Sequence, residues 1–284
     1  GMIDMKEQEK KYLTDKEKIE VVMPIAGNNN KEEFKDILRD RPLSLLDING
    51  KSILQRNLEI FHSQGLQDIK LISGYHKEKI IPAEISPLAE TMTVIENKKY
   101  EVSGIAHSFM CARNSIKEKV LLVFGDILFE KDILEKLLKR DEDIVLVIDP
   151  SYREKNFNGN TLDLVQATHV SATGNRMIKL DRDNPVKKIG HKINKEEVTH
   201  EFIGMVLFSK EGFQNFKKVY EELETNYKTG QFHEAQNFQK ADLTDIFQEM
   251  IDRDYKISSL EIYKGWMEIV NFDNYKKACE MLKE

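Results

Sequence analysis

Five short apolar runs, Ile19–Pro24, Asp68–Ser73, Thr91–Glu96, Lys119–Phe124 and Asp143–Ile148, alternate with helical patterns along the first half of the chain. The stretches between them, Ser52–Gln64, Gly104–Ser115 and Lys131–Arg140, carry apolar residues three and four positions apart; Ile53, Leu54, Leu58, Ile60 and Phe61 form one such face. Strands linked through amphipathic helices in this way predict a parallel sheet covered by helices on both sides. The fold class expected for the whole chain is α/β, a Rossmann-like doubly wound mixed sheet. The second half reads as strands Leu162–Val170, Arg176–Leu180 and Val198–Phe208, separated by Gly174 and the basic segment Lys187–Lys195. Helices at Lys210–Thr225 and Leu243–Arg253, strands near Tyr255–Ile262 and Trp266–Ile269, and a last helix from Phe272 complete the pattern. Residues 1–17 are almost wholly polar and read as an extension, and 18–284 as a single domain.

A formal charge of −6 leaves no basic excess to neutralise a phosphate backbone, which argues against nucleic acid as a partner. A single nucleotide needs only a local pocket. Apolar runs such as Val120–Phe124 and Ile144–Ile148 are too short to span a bilayer, and the charged start is unlike a secretory signal. The expectation is a cytoplasmic protein with no membrane partner. Cys111 and Cys279 each fall in an apolar helical pattern and read as buried thiols in a reducing compartment.

Candidate chemistry begins where the first strand ends. Val21 to Lys51 runs from an apolar strand into Ala26-Gly27, through Asn28, Asn29 and Asn30, to Pro42 and Leu45-Leu46-Asp47-Ile48-Asn49-Gly50-Lys51. A strand entering a turn of small residues lets backbone N–H groups face a phosphate, and asparagine tolerates positive φ better than other non-glycine residues. The same five residues are equally an ordinary turn. A second element, Leu122-Val123-Phe124-Gly125-Asp126, puts a carboxylate at the carboxyl edge of the sheet, where open α/β folds bind ligands and where a hard cation finds oxygen donors. An N-cap or turn role for Asp126 is the plain alternative. Ser103-Gly104-Ile105-Ala106-His107-Ser108 opens a helix with small residues that admit a flat base.

Three later segments, His200-Glu201-Phe202-Ile203-Gly204-Met205, Ala241-Asp242-Leu243-Thr244-Asp245 and Gly265-Trp266-Met267-Glu268-Ile269, follow in order. With the Val21–Lys51 stretch, this succession resembles the nucleotidyltransferases, in the branch of phosphocholine cytidylyltransferases and the transferase domains associated with phosphoenolpyruvate phosphomutase. The resemblance runs from Ile19 to the C-terminus and implies a fold of the nucleotide-diphospho-sugar transferase type. It further implies transfer of a nucleotidyl group from CTP or UTP to a sugar 1-phosphate, small phospho-alcohol or phosphonate, with release of pyrophosphate and with Mg²⁺ as cofactor. The product would feed synthesis of a cell-surface polymer, and a homodimer is the assembly expected.

Carried over by position, the resemblance gives Ala26, Gly27, Asn28, Asn29, Asn30, Ser103 and Gly104 to the nucleotide, and Glu201, Gly204 and Trp266 to the acceptor. Asp126 and Glu268 fall to the metal. The arginine of the loop motif falls near Lys31, with Arg41 or Arg39 as a neighbouring cation. Leu43 stands where the family has a phosphate-clamping lysine, Val270 where it has a second metal aspartate, and His191 where a lysine often follows Ile-Gly; Lys187, Lys188 and Lys192 are candidates to compensate. Losing one clamping charge costs on the order of 10²–10³ in rate. A catalytically degenerate nucleotide-binding or regulatory module is therefore the rival reading. A nucleotide-sugar glycosyltransferase ranks last, because Asp126-Ile127-Leu128 is not Asp-x-Asp. Trp266 with Tyr263 is either an aromatic wall for a quaternary ammonium or simply core.

Overall fold

The computed structural model describes residues 4–8, 18–28, 32–85, 91–155, 161–168, 184–227 and 229–283. The expected strand Arg176–Leu180 and the loop residues Asn29, Asn30 and Lys31 lie outside them. In chain order the strands of the central sheet are β1 (Glu20–Pro24), β2 (Asp68–Ser73), β3 (Met92–Glu96), β4 (Val120–Val123), β5 (Ile144–Asp149), β6 (Leu164–Ala167), β7 (Val186–Gly190), β8 (His200–Phe208) and β9 (Ser258–Glu261). Their spatial order is β7–β6–β8–β4–β1–β2–β3, with β5 also on β8 and β9 beyond β5. β1 pairs in parallel with both β4 and β2, while β8 runs antiparallel to β4, β5 and β6. The sheet is thus mixed, as expected. Among the described residues, no helix is long and apolar enough to cross a membrane.

β1, β2, β4 and β5 are buried on both faces, which is why they read as unbroken apolar runs. Val22, Leu122, Leu146 and Val206 enter one core with Phe109, Phe213, Phe216 and Phe247 from helices Ile105–Met110, Lys210–Asn226 and Leu243–Asp252. Their neighbours Val21, Met23, Leu121, Val123 and Leu207 enter a second core with Leu54, Leu58, Leu134 and Leu137 from helices Ile53–Ser63 and Lys131–Leu138. Local capping fixes where the helices start: Ser52 Oγ accepts from Gln55 N at 3.0 Å and Ser209 Oγ from Gly212 N at 3.0 Å.

One element differs from the sequence expectation, and the Leu45–Lys51 stretch, given no structure there, takes a defined form. The segment beginning at Lys187, expected to separate strands, contains β7: Val186 and Ile189 point into the core while Lys187 and Lys188 face out, with a bulge between Val186 and Lys188. The Leu45–Lys51 anchor is a hairpin, Asp47–Ile48 with Lys51–Ser52, turning through Asn49 and Gly50 at φ 54° and 94°. Ile48 and Leu46 pack with Ile269 and Ala278 in a third core, so the hairpin ties the loop to the C-terminal helix Phe272–Met281 and holds Leu43 and Ser44 at the sheet edge.

Candidate active site

β1 and β4 are adjacent, and the chain leaves β1 toward β2 on its other side, so a crevice opens beyond their carboxyl ends. A cleft of about 340 Å³ lies there. Ile25, Ala26 and Gly27 form one wall, Phe124, Gly125 and Asp126 the floor, Ser103, Gly104 and Ile105 a second wall; Leu43, Ser44, Asp242 and Glu268 close it. The floor is tight. A Cβ on Gly125 would stand 2.4 Å from Ile25 Cγ2. Ser44 lines the cleft, and its buried Oγ has no hydrogen-bond partner among the described residues.

Backbone pairing brings the two expected metal carboxylates together. Trp266–Glu268 pairs antiparallel with Ile127–Phe129, matching Glu268 to Ile127, and Ile269 N donates to Asp126 O at 2.9 Å. Burial pushes Asp126 up to about 6, with the Asp163 charge adding to it. Burial pushes Glu268 up to about 8, reinforced by Asp126, Asp163 and Glu201 and opposed by Lys155. Among the described residues, Glu268 meets no hydrogen-bond donor and Asp126 only its own backbone N–H. Two hard-oxygen donors that repel each other in a cleft suit a divalent cation. The buried Asn57 holds the strand from behind, Nδ2 donating to Ile127 O at 3.0 Å.

Around this pair lies a constellation that sequence spacing does not reveal. His191 Nε2 meets Asp163 Oδ1 at 2.7 Å, and that hydrogen bond lifts the imidazole to about 9 against the opposing effect of burial. His191 is therefore cationic at neutral pH. The Glu234 carboxylate accepts from the backbone N–H groups of His191 and Lys192 at 2.7 and 2.9 Å. Asp242 is pushed up to about 6 by burial and by Asp163 and Asp245, while Asp245 accepts from Asp242 N at 2.9 Å and Glu234 N at 3.0 Å. Lys188 pairs with Glu197 at 2.9 Å.

Of the residues expected at the nucleotide, Ala26, Gly27, Ser103 and Gly104 line the cleft; Asn28 is described but is not among the lining residues. Gly104 is demanded by the protein's own backbone. A Cβ there would meet Ala241 O at 2.3 Å and Lys240 O at 2.5 Å. Gly104→Ala is expected to destabilise by roughly 1–3 kcal/mol by overpacking, read as a lower urea midpoint; an unchanged midpoint would contradict the packing. Arg41 Nε donates to Leu38 O at 2.9 Å, and Arg41 is not among the lining residues. Gly204, at φ 94°, seats the Phe124 ring, and Phe124 N donates to Gly204 O at 2.9 Å. Leu43 lines the cleft, whereas Val270 does not and its N–H donates to Asn274 Oδ1 at 3.3 Å. Asn271 caps the last helix. Both cysteines are free and half-buried.

The mixed sheet with this cleft is the nucleotide-diphospho-sugar transferase type. No family model matches the chain. A solved inositol-1-phosphate CTP transferase from T. maritima superposes with a TM-score of 0.64 at 20% identity, over 93% of this chain and 96% of that one. A CTP:phosphocholine cytidylyltransferase from Streptococcus pneumoniae gives 0.63 at 13%, over 93% and 99%. In sequence, the CTP:phosphoglutamine cytidylyltransferase of Campylobacter jejuni is 22% identical over 240 residues, covering 82% of this chain and 89% of that protein. The bifunctional protein GlmU of Methanococcus vannielii is 25% identical over 251 residues, 88% of this chain but only 52% of that protein. The chain is thus similar in sequence and fold to sugar-phosphate and phospho-alcohol nucleotidyltransferases, cytidylyltransferases among them.

Proposed function

We propose that the chain transfers a cytidylyl group from CTP to a small phosphorylated acceptor, releasing pyrophosphate. The observation that carries this reading is the convergence of Asp126 and Glu268, two carboxylates short of hydrogen-bond donors, at the cleft between the β1 and β4 ends. Asp126 and Glu268 would hold Mg²⁺, which when bound neutralises charge on the phosphates. The backbone of Ala26 and Gly27 faces the triphosphate, Ser44 Oγ offers it a hydroxyl, and Ser103 and Gly104 border the base. Lys31, by its place in the loop, is assigned the leaving pyrophosphate. No covalent intermediate is required, because an acceptor phosphate or phosphonate oxygen attacks the α-phosphorus directly. The choice of CTP over UTP rests on the phosphoglutamine cytidylyltransferase and the inositol-1-phosphate CTP transferase among its relatives. A product destined for a surface polymer and residues 18–284 acting as one domain complete the proposal.

Leu43 favours the second reading, a nucleotide-binding module without turnover, since it puts an apolar side chain into the cleft where a clamping cation is wanted. Pyrophosphate release with each of four nucleoside triphosphates, Mg²⁺ and a panel of phospho-acceptors separates the two. CTP-dependent release that requires an acceptor is expected. Saturable CTP binding with no release across the panel would favour the module.

A further inference from the structure

One strand step from Glu268, an ammonium group is already held in place. Lys155 Nζ lies 3.8 Å from the centroid of the Trp266 ring and 2.9 Å from Glu201 Oε1. The Glu201 side chain is only 2% exposed, that of Lys155 37%. The indole is locked in position, Nε1 donating to Asp149 Oδ2 at 2.7 Å. Asp149 is itself fixed by Ser151 N at 2.8 Å, Ser151 Oγ at 2.9 Å and Lys264 N at 3.2 Å. A rigid ring face and a buried carboxylate are the two elements that recognise a quaternary ammonium. The expected second aromatic takes no part in this: Tyr263 is 52% exposed and donates to Glu154 at 2.9 Å.

We infer that Lys155 is the built-in occupant of an ammonium box made by Trp266 and Glu201, and that it sets acceptor specificity by shutting quaternary-ammonium groups out of that box. Trp266 and Glu268 lie two residues apart on one strand, so their side chains share a face, and the charges of Lys155 and Glu201 act on the Glu268 carboxyl. To enter, a trimethylammonium head would have to break the Lys155–Glu201 pair and leave the lysine without its carboxylate. The acceptor therefore carries a neutral or hydroxylated body beyond its phosphate. Calling the box acceptor-side rests on the transferase reading; its existence and its occupant do not.

Trp266 is the single tryptophan of the chain, so its fluorescence reports the box directly. Tetramethylammonium chloride, with potassium chloride at matched ionic strength as control, is titrated into the wild type, Lys155→Ala, Lys155→Met and the double variant Lys155→Ala/Glu201→Gln. Lys155→Ala leaves Glu201 buried without its cation, so tetramethylammonium is expected to shift its fluorescence and raise its melting temperature, binding at least about tenfold more tightly than to wild type. Lys155→Met fills the box with an uncharged chain and responds weakly, and the double variant does not respond. Equal binding by wild type and Lys155→Ala, or a response that survives Glu201→Gln, would overturn the inference. In turnover, the kcat/KM ratio of phosphocholine to glycerol 3-phosphate rises about tenfold in Lys155→Ala. If no variant turns over any acceptor, the transferase reading fails while the fluorescence titration still decides the box.

Discussion

Replacing Asp126 by Asn is expected to lower the proposed transfer rate by a factor of about 10² to 10³ while the protein keeps its fold and its affinity for CTP. The side chain stands at the carboxyl end of β4 on the cleft floor, where burial already raises its carboxyl to about 6. Its negative charge is thus costly to hold and serves no partner among the described residues beyond its own N–H. A group kept under those conditions is expected to act on a ligand. Asn preserves the shape and the register that ties Asp126 O to Ile269 N at 2.9 Å. Stability should therefore be unchanged or slightly higher above pH 6. The check pairs kcat from pyrophosphate release with CTP affinity from calorimetry. A rate within a factor of about three of wild type would remove Asp126 from the chemistry.

Glu268→Gln is expected to stabilise the protein at alkaline pH and to leave stability nearly unchanged at acid pH. The sign follows from the direction of the shift. Burial and the charges of Asp126, Asp163 and Glu201 raise Glu268 to about 8 in the fold, whereas an unfolded glutamate titrates near its ordinary value of 4.5. Between those two values the folded chain holds a proton that the unfolded chain has released, so stability falls as pH rises through this window. Gln removes the ionisation. The gain should be on the order of 2–4 kcal/mol at pH 8 and less than about 1 kcal/mol at pH 5. For a chain of this size that is a rise of several degrees in Tm at pH 8, with turnover lost in the same variant. Thermal melts at both pH values without divalent cation read the effect. An equal shift at pH 5 and pH 8, or a lower Tm at pH 8, would contradict the assigned environment.

The parts of this molecule that were legible in its sequence are those written by burial. β1, β2, β4 and β5 are buried on both faces and show as apolar runs to within a residue or two of their ends. β7 was hidden because Val-Lys-Lys-Ile-Gly mixes two exposed lysines with a bulge, which breaks the strict alternation. The three-residue strand Ile127–Phe129 was hidden because its meaning lies in a partner near the other end of the chain. The same holds in the site. Asp126 was legible because an apolar run ending in Gly-Asp announces a sheet edge, and Glu268 through its motif. Nothing local joins Asp163 to His191, 28 residues apart, or Lys155 to Glu201, 46 apart. The first pair exists because β6 pairs with β7, and the second because β5, which leads into the turn ending at Lys155, pairs with β8. Gly104 was read for the ligand it would admit, whereas its missing side chain makes room for the carbonyls of Lys240 and Ala241.

The most direct measurement follows the α-phosphorus itself. Wild-type protein is incubated with α-³²P-labelled CTP, Mg²⁺ and a panel of phosphorylated acceptors that includes a sugar 1-phosphate, inositol 1-phosphate and glycerol 3-phosphate. Transfer by the Asp126–Glu268 cleft predicts label in a CDP-linked product, one free pyrophosphate per product, and loss of both in Asp126→Asn. Label that stays in CTP with every acceptor although CTP binds, or transfer that persists undiminished in Asp126→Asn, would contradict it.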